Sequence, residues 1–600
     1  MGRIQRWLSA RRAPLVVWLV GIALAAPALT ADFTADDHQH RLLLRDTPGF
    51  PGLESRPFDL FVFANGEPET VAKMVDAGVF PWWTDPHLRL AFWRPISSAT
   101  HALDHALWPD NATAQLAHNL AWHALVLFLV WLVFRRFFDR SGPARWIAVL
   151  AFALYAFDDA RGPVVGWIAN RNSLVALALG LPALLAHDRW RRDGWAHGRW
   201  VGPLVFAVSL FAGESAIAVC AYLGAHALWL DKGTWRSRAI ALAPYVAIVV
   251  VWRVAYAKLG YGVVGSGVYL DPGSDPIAFG AAAFSRIPFL VQSALALPWS
   301  DFASFYPVIG LATPMLVGVW IGLCGIALAL ARIVRRDPVA RFWATGMVLA
   351  AVPIASTFPA DRLLGFVSIG AMGLVAQLVA AAISDRTLLG EGRARRIFGL
   401  VLAVMLVIVN LVLAPPLLVG RSRSMVAVGR VLDRGEAGIP RDADIATKTV
   451  IAVNPPSDAL AGYIQYTRAS RGQPRPAHLV WFATAATEVS IERTDDRTLR
   501  IAPRNGLLHY EVDQMVRDPR TRPFTKGETY SVANITFEIV AETPDHRPLV
   551  MLARFAIPLD DPSLVWLRWA GTTYAPYSPP AIGTVDTLPA FDFLKLLEDH

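Results

Sequence analysis

Cysteine is nearly absent. Cys220 and Cys324 are the only two in 600 residues, and both lie inside apolar runs. That excludes a disulfide framework and a thiolate metal site, and it leaves both as small buried hydrophobes. Charge is also scarce, at 17% against 54% hydrophobic residues, where a soluble domain carries about 25%. The formal balance of +8 does not point to nucleic acid, because the basic residues stand in short clusters between apolar runs. No Gly-rich phosphate loop, HExxH pair or nucleophile elbow occurs in a fitting strand–helix context. Helical repeats and an internal duplication are missing too.

Long apolar runs are what the chain has instead. Taking roughly 20 apolar residues as a span, fewer where flanking groups snorkel, there are eleven candidates: 13–30, 119–134, 144–157, 167–186, 199–212, 215–230, 239–257, 309–331, 342–357, 361–384 and 397–419. The 22 tryptophans suit aromatic belts at bilayer interfaces. Basic clusters such as "RIQRWLSARR", "RRFFDRSGPAR", "HDRWRRDGWAHGRW", "DKGTWRSR", "RIVRRDPVAR" and "SDRTLLGEGRARR" fall in every second gap. By the positive-inside rule this puts the N-terminus in the cytoplasm. The loop 31–118 and the tail then lie on the far face, periplasmic in a bacterial inner membrane. The first run also resembles a cleaved signal peptide ending at "ALTA", an alternative that leaves the rest of the topology unchanged.

The resulting expectation is a polytopic α-helical membrane protein with a C-terminal β-rich soluble domain. Residues 1–30 form the first helix, 31–118 the first outer loop, 119–419 the helix bundle and 420–600 the β-rich domain. Within the bundle, the outer loop 258–308 carries "DPIAFGAAAFSRIPFLVQSALALPW", read as an amphipathic helix on the outer surface. The tail earns its β assignment from short β-branched or aromatic runs broken by Pro, Gly, Asp and Asn, such as "YSVANITFEIVAET".

Ionisable residues at the outer ends of the spans are the candidate functional groups. Asp36 and Asp37 follow the first span closely enough to reach a lipid headgroup while staying charged, as a general base on a lipid-linked substrate must; an ordinary loop pair is the plain alternative. His101, Asp104 and His105 stand at i, i+3, i+4, a spacing open to metal but equally to a hydrogen-bonded cluster. His118 and His123 open a span, and His123 reads as a buried, partnered histidine. Arg171 begins another span near Asp158 and Asp159, where it must either pair with one of them or hold an anion. Glu214 and Arg362 are flanked by apolar sequence on the same side, a costly placement that marks function unless they snorkel. No ligand spacing calls for a divalent cation, and the cofactor is left open.

In this order the pieces resemble the GT-C glycosyltransferases, in particular the transmembrane-and-tetratricopeptide O-mannosyltransferases and their bacterial relatives. The matching stretches are "ADFTADDHQHRLL", "FWRPISSATHALDHALW", "AHNLAWHALVLFLVWLVFRRF", "GWIANRNSLVALALGLPALL", "FAGESAIAVCAYLGAHALWLD" and "ADRLLGFVSIGAMGL", spanning about 10–385. The chain departs from those relatives in having Gly213 where they carry Lys before the Glu. It also has Asp361-Arg362-Leu363 where they have Glu-Arg-Tyr, and it lacks tetratricopeptide repeats. The resemblance implies a catalytic base at Asp36 or Asp37 and inverting transfer from a polyprenyl-phosphate sugar to an acceptor hydroxyl. It further implies stabilisation of the leaving lipid phosphate by Arg171, Arg362 and Arg94. The acceptor, whether protein, lipid or polysaccharide, is left open. The competing expectations are an inactive GT-C-shaped protein that binds glycan or an envelope-assembly partner, and a transporter or flippase, which would place its ionisable groups at mid-membrane.

Overall fold

The computed structural model describes residues 2–45, 50–138 and 145–592. Residues 139–144 of the second basic cluster, including the start of the 144–157 run, and the last eight residues of the tail lie outside the described residues. The chain divides into two compact units. One comprises 1–32, 92–259 and 271–426; the other comprises 33–91, 260–270 and 427–600.

The first unit is a helix bundle, as its apolar runs require: backbone amides in hydrocarbon must be satisfied within the segment. Among the described residues, eight helical stretches are long and apolar enough to cross a membrane, and three shorter apolar helices accompany them. This is a multi-pass membrane protein. Each of the eleven expected runs falls on a helix, with 144–157, 199–212 and 215–230 on the short helices Arg145–Ala156, Gly198–Leu210 and Val219–Trp229. Helix Gly365–Ser384 is the centre of the bundle, with 94% of its apolar window buried, whereas Trp235–Lys258 is peripheral at 22%. Close approach at the centre depends on glycine. A Cβ on Gly370 would stand 2.5 Å from the Trp343 carbonyl, and one on Gly373 2.8 Å from the Trp343 indole. Cys324 corrects the expectation of burial: it is exposed on the apolar outer surface of helix Ala312–Arg336, while Cys220 is half-buried.

Ion pairs test the sidedness read from charge. Arg136 pairs with Asp188 and Asp193, Arg191 with Asp231, and Arg332 with Glu391, all from segments assigned to one side. Arg94 pairs with Glu214, Arg171 with Asp104, and Arg421 with Asp159, Asp301 and Asp361, all from segments assigned to the other. The second group defines what is called here the polar end.

Helix Pro276–Leu295 meets the length criterion for a span but stays at the polar end. Arg286 donates to the Ala355 carbonyl at 2.9 Å, Ser293 to Asp361 at 2.6 Å, and Asp271, just ahead of the helix, pairs with Arg253. These bonds agree with a helix lying along that face. The last membrane helix is interrupted by a π-turn at Ile408–Leu413, ahead of Pro415 and Pro416. Asn410 donates to the Leu406 and Leu295 carbonyls, satisfying groups that the irregular turn exposes.

The second unit contains all the strands. β4 (Thr449–Ala452), the helix Asp458–Ser470 and β5 (His478–Trp481) form a parallel crossover unit. With β11 (Leu564–Ala570) and β12 (Thr573–Pro576) they make a four-stranded sheet of order β12-β11-β4-β5. A six-stranded antiparallel sheet runs β13-β6-β7-β10-β9-β8, its members being β6 (Val489–Arg493), β7 (Thr498–Pro503), β8 (Thr529–Val532), β9 (Ile535–Glu542), β10 (Pro548–Phe555) and β13 (Val585–Leu588). Alternation of buried and half-buried residues along β6 and β9 shows one face on the core. The loop 31–118 and the tail 420–600, read as separate stretches, both contribute here. β2 (Arg89–Ala91) pairs with β1 (Val62–Asn65) on one side and β3 (Gly262–Val264) on the other, and Trp82 stacks on Phe537 at 4.4 Å.

Candidate functional site

At the polar end of the helical unit, three groups of charges are built from helix termini. The first centres on Arg171, the opening residue of helix Arg171–Asp193 and fully buried. It pairs with Asp104 and donates to Asn119 at 2.6 Å, to the Gln115 carbonyl at 2.9 Å and to the Thr100 carbonyl at 3.1 Å. His118 lies 2.6 Å from the other Asp104 oxygen. Asn119 in turn donates to the Val165 and Trp167 carbonyls, locking the turn that precedes Arg171. A guanidinium surrounded in this way organises its neighbours and has no face left for a ligand. Its carboxylate is Asp104, not the Asp158 or Asp159 that spacing suggested.

The second group is Arg94 with Glu214. Ser97 and the Ile96 amide bond the Ala212 and Phe211 carbonyls, which sets the helix Pro95–Leu107 against the turn before Glu214. Arg94 Nε then reaches Glu214 Oε2 at 2.7 Å, with Tyr256 donating to the other oxygen at 3.3 Å. Both side chains stay partly open, 18% and 26% exposed, so this pair can meet a ligand.

The third group was not visible in the sequence. Arg421 donates to Asp159 and Asp361 at 2.7 Å each, pairs with Asp301, and lies over the Trp299 ring. Asp361 also accepts from Ser293 and Ser300. Burial and the nearby Asp361 push the Asp301 carboxyl above its usual range, and burial pushes Asp158, 3.5 Å from Arg161, up to about 6. Beside this group Arg362 stands between the Trp167 and Phe358 rings, 5.3 and 5.2 Å from their centres. Among the described residues no carboxylate lies within ion-pair distance of its guanidinium, although its charge acts on Asp301 nearby.

Within the second unit, Asp36 and Asp37 open the helix Asp36–Arg45, where the helix dipole favours anions. The preceding Ala35 has φ +51°, a left-handed conformation unusual for a side-chain-bearing residue, and it aims the helix start. The two acids differ. Asp37 is 2% exposed and accepts from the Thr34 amide at 3.1 Å, the bond of a capping residue. Asp36 is half-buried and accepts from the Tyr463 phenol of the crossover helix. Burial, and then the neighbouring Asp36 charge, hold the Tyr463 phenol well above its usual range, so it remains a donor. His38 bonds Ser470 at 2.7 Å, and burial pushes it down to about 3, which keeps it neutral.

His101 is buried beside Asp104, and His105 is half-buried one turn on. No group of three or more His, Cys, Asp or Glu that could hold a metal ion occurs among the described residues. His123 is fully buried in helix Ala112–Phe137, but neither ring nitrogen has a hydrogen-bond partner among the described residues, which corrects the expectation of a partnered histidine.

No family model matches the sequence, and no curated protein matches it. Solved structures do. An oligosaccharyltransferase from Archaeoglobus fulgidus, tethered to an acceptor peptide, matches over 78% of this chain at 12% identity and a TM-score of 0.40. The alignment spans 64% of that enzyme's length. ArnT from Cupriavidus metallidurans, bound to undecaprenyl phosphate, matches over 79% of this chain and 90% of its own, at 13% identity and a TM-score of 0.35.

Proposed function

We propose that this protein is a membrane glycosyltransferase that moves a sugar from a polyprenyl-phosphate donor to an acceptor hydroxyl, with inversion, on the periplasmic side of a bacterial inner membrane. Asp36 takes the acceptor proton as the oxygen attacks the anomeric carbon, and the polyprenyl phosphate leaves as an anion. Positioned proton transfer of this kind contributes about 10²–10⁴-fold. Arg362 and Arg94 stabilise the leaving phosphate, since charge that develops in the transition state is where fixed cations act most strongly. Arg171, with Asp104 and His118, holds the helix ends in place. Glu214 orients Arg94, and Asp158 and Asp159 balance Arg161 and Arg421.

The observation that carries the reading is the state of the arginines at the polar end. Arg94, Arg161, Arg171 and Arg421 each face a carboxylate, whereas Arg362 is held by two aromatic rings. A guanidinium kept at a membrane boundary without a directly paired carboxylate, with only the charge of Asp301 nearby, suits a substrate that brings its own negative charge. Clustering of the ionisable groups at helix ends, rather than at mid-bundle, speaks against a transporter.

The test supplies radiolabelled polyprenyl-phosphate hexoses to membranes containing wild type, Asp36→Asn or Asp37→Asn at matched levels. Label is then followed into protein, lipid and polysaccharide. Transfer by wild type that falls at least about 100-fold in Asp36→Asn supports the reading and reveals the acceptor class. Transfer indifferent to Asp36 overturns the mechanism. No transfer from any hexose, with a glycan retained on the protein, supports a binding protein instead.

A further inference from the structure

The end of the helical unit opposite the polar end carries a second feature, independent of the proposed reaction. A cleft of about 750 Å³ opens between the helices Ala13–Ala25, Ala112–Phe137 and Arg145–Ala156. Its volume falls within the range of small-molecule sites, about 300–1,000 Å³. Its lining is ordered by depth. Arg11, Arg135 and Arg145 stand at the rim; Trp18, Phe128, Trp131 and Phe152 line the body.

The sequence builds this layering by one rule used three times. Trp18 follows Arg11 by seven residues, Phe128 precedes Arg135 by seven, and Phe152 follows Arg145 by seven. Seven residues are two helical turns, about 10 Å along the axis, and they return to the same face. Arg135 and Arg145 therefore each stand near a helix end with an aromatic ring roughly 10 Å deeper toward the bundle middle, and Arg11 lies in the turn just ahead of the helix that carries Trp18. The bond from Trp18 Nε1 to the Ala124 carbonyl, 2.8 Å, fixes one wall.

Charge complementarity identifies the occupant. Arg145 donates to the Arg11 carbonyl at 3.5 Å, and among the described residues none of the three guanidiniums faces a carboxylate. Among the described residues no acid lines the cleft. The residue after Arg135, Arg136, pairs instead with Asp188 and Asp193 of helix Arg171–Asp193. A free inorganic anion would need the cations but not the 10 Å of aromatic wall beneath them. An acyl chain alone would need the wall but not the cations. We propose that this cleft is a binding site for a phospholipid with an anionic headgroup, its phosphate held by Arg11, Arg135 and Arg145 and its upper acyl chain laid against Trp18, Phe128, Trp131 and Phe152. Basic pockets between membrane helices hold such headgroups by the same combination.

Native mass spectrometry of the full chain in detergent, titrated with phosphatidylglycerol, phosphatidylcholine or inorganic phosphate, tests this. A phosphatidylglycerol adduct should be retained at least about tenfold more strongly than phosphatidylcholine, given roughly fivefold per cation near a membrane surface. It should fall by at least tenfold in R11Q/R135Q/R145Q. The control R393Q/R395Q/R396Q, which removes another basic cluster from the same end of the bundle, should leave it unchanged. Trp131→Ala should weaken the lipid adduct while leaving any phosphate adduct alone. Equal retention of the two lipids, survival of the adduct in the triple variant, or its loss in the control overturns the proposal. So does an inorganic phosphate adduct as strong as that of the lipid. Circular dichroism and thermal melting of each variant identify one that has simply failed to fold; in that case the single substitutions, each expected to weaken the adduct about fivefold, decide.

Discussion

Tyr463 donates its phenolic proton to Asp36 across 427 residues of sequence. The acid opens a helix in the loop after the first membrane span, and the phenol belongs to the crossover helix between β4 and β5, within the same compact unit. A hydrogen bond to an ionised group is worth about 1.5–3 kcal/mol and fixes the carboxylate's direction as well as its charge.

Removing that phenol therefore has a distinct signature. Tyr463→Phe should lower the turnover of sugar transfer by about 10-fold while leaving donor KM within twofold. The base works ionised, and the lost hydrogen bond had favoured the ionised form. The acid limb of the rate profile should accordingly move to higher pH. Asp36→Asn should lose activity at every pH, at the same protein level. Asp37→Asn should instead lower the thermal midpoint, because Asp37 caps the Thr34 amide.

Arg171 and Arg362 should separate stability from binding. Arg171→Gln leaves the fully buried Asp104 facing only His118, and breaking a buried pair costs about 3–5 kcal/mol. Loss of folded protein in membranes, read by protease sensitivity, is expected. Arg362→Gln strands no carboxylate and should melt like wild type, yet raise the KM for a polyprenyl-phosphate donor by about 10–100-fold. If both variants merely reduce protein level, Arg362 is structural and the phosphate role is lost.

Arg421 should behave as the keystone of the acidic group. Arg421→Met leaves Asp159, Asp301 and Asp361 to repel one another, with Asp361 only 1% exposed. A fall in thermal midpoint in detergent is expected, equivalent to about 3–5 kcal/mol. Adding Asp301→Asn removes one of the repelling charges and should restore part of it.

Much of this was legible in the sequence, and the reasons for the remainder are physical. Apolar length and alternating basic clusters predict the helices and their sidedness, because a bilayer imposes one length and one charge rule on every span. Asp36, Glu214 and Arg362 could be singled out because an ionisable group beside an apolar run is expensive. Arg421 follows the last span and reads as the first basic residue of a soluble tail; only the fold brings Asp159, Asp301 and Asp361 to it. Tyr463 carries no local signal at all, since a tyrosine in an amphipathic helix looks like core. The pairing of β2 with β3 joins short strands 171 positions apart at their nearest partners, Ala91 and Gly262, and no period in either segment announces it.

Asp458 makes the last prediction, and its sign runs against the usual acid denaturation. It heads the crossover helix and accepts from Trp481 Nε1 at 3.0 Å, while its Oδ2 is enclosed with no partner among the described residues. Burial, and then the nearby Asp513 carboxylate, push it up to about 8; burial pushes Asp513 up to about 6. Between about 4, the ordinary carboxylate value, and 8, the unfolded chain has released the Asp458 proton and the folded unit still holds it. The folded state binds more protons over that window, so stability falls as pH rises through it and the loss is complete above about 8. Asp458→Asn is permanently neutral and keeps an oxygen for Trp481. It should raise the melting temperature of the protein's strand-containing unit at pH 8 and change it little at pH 4, measured by differential scanning calorimetry of the full chain in detergent. An equal gain at both values would show that the carboxyl is ionised in the fold and that Trp481, rather than a retained proton, accommodates it.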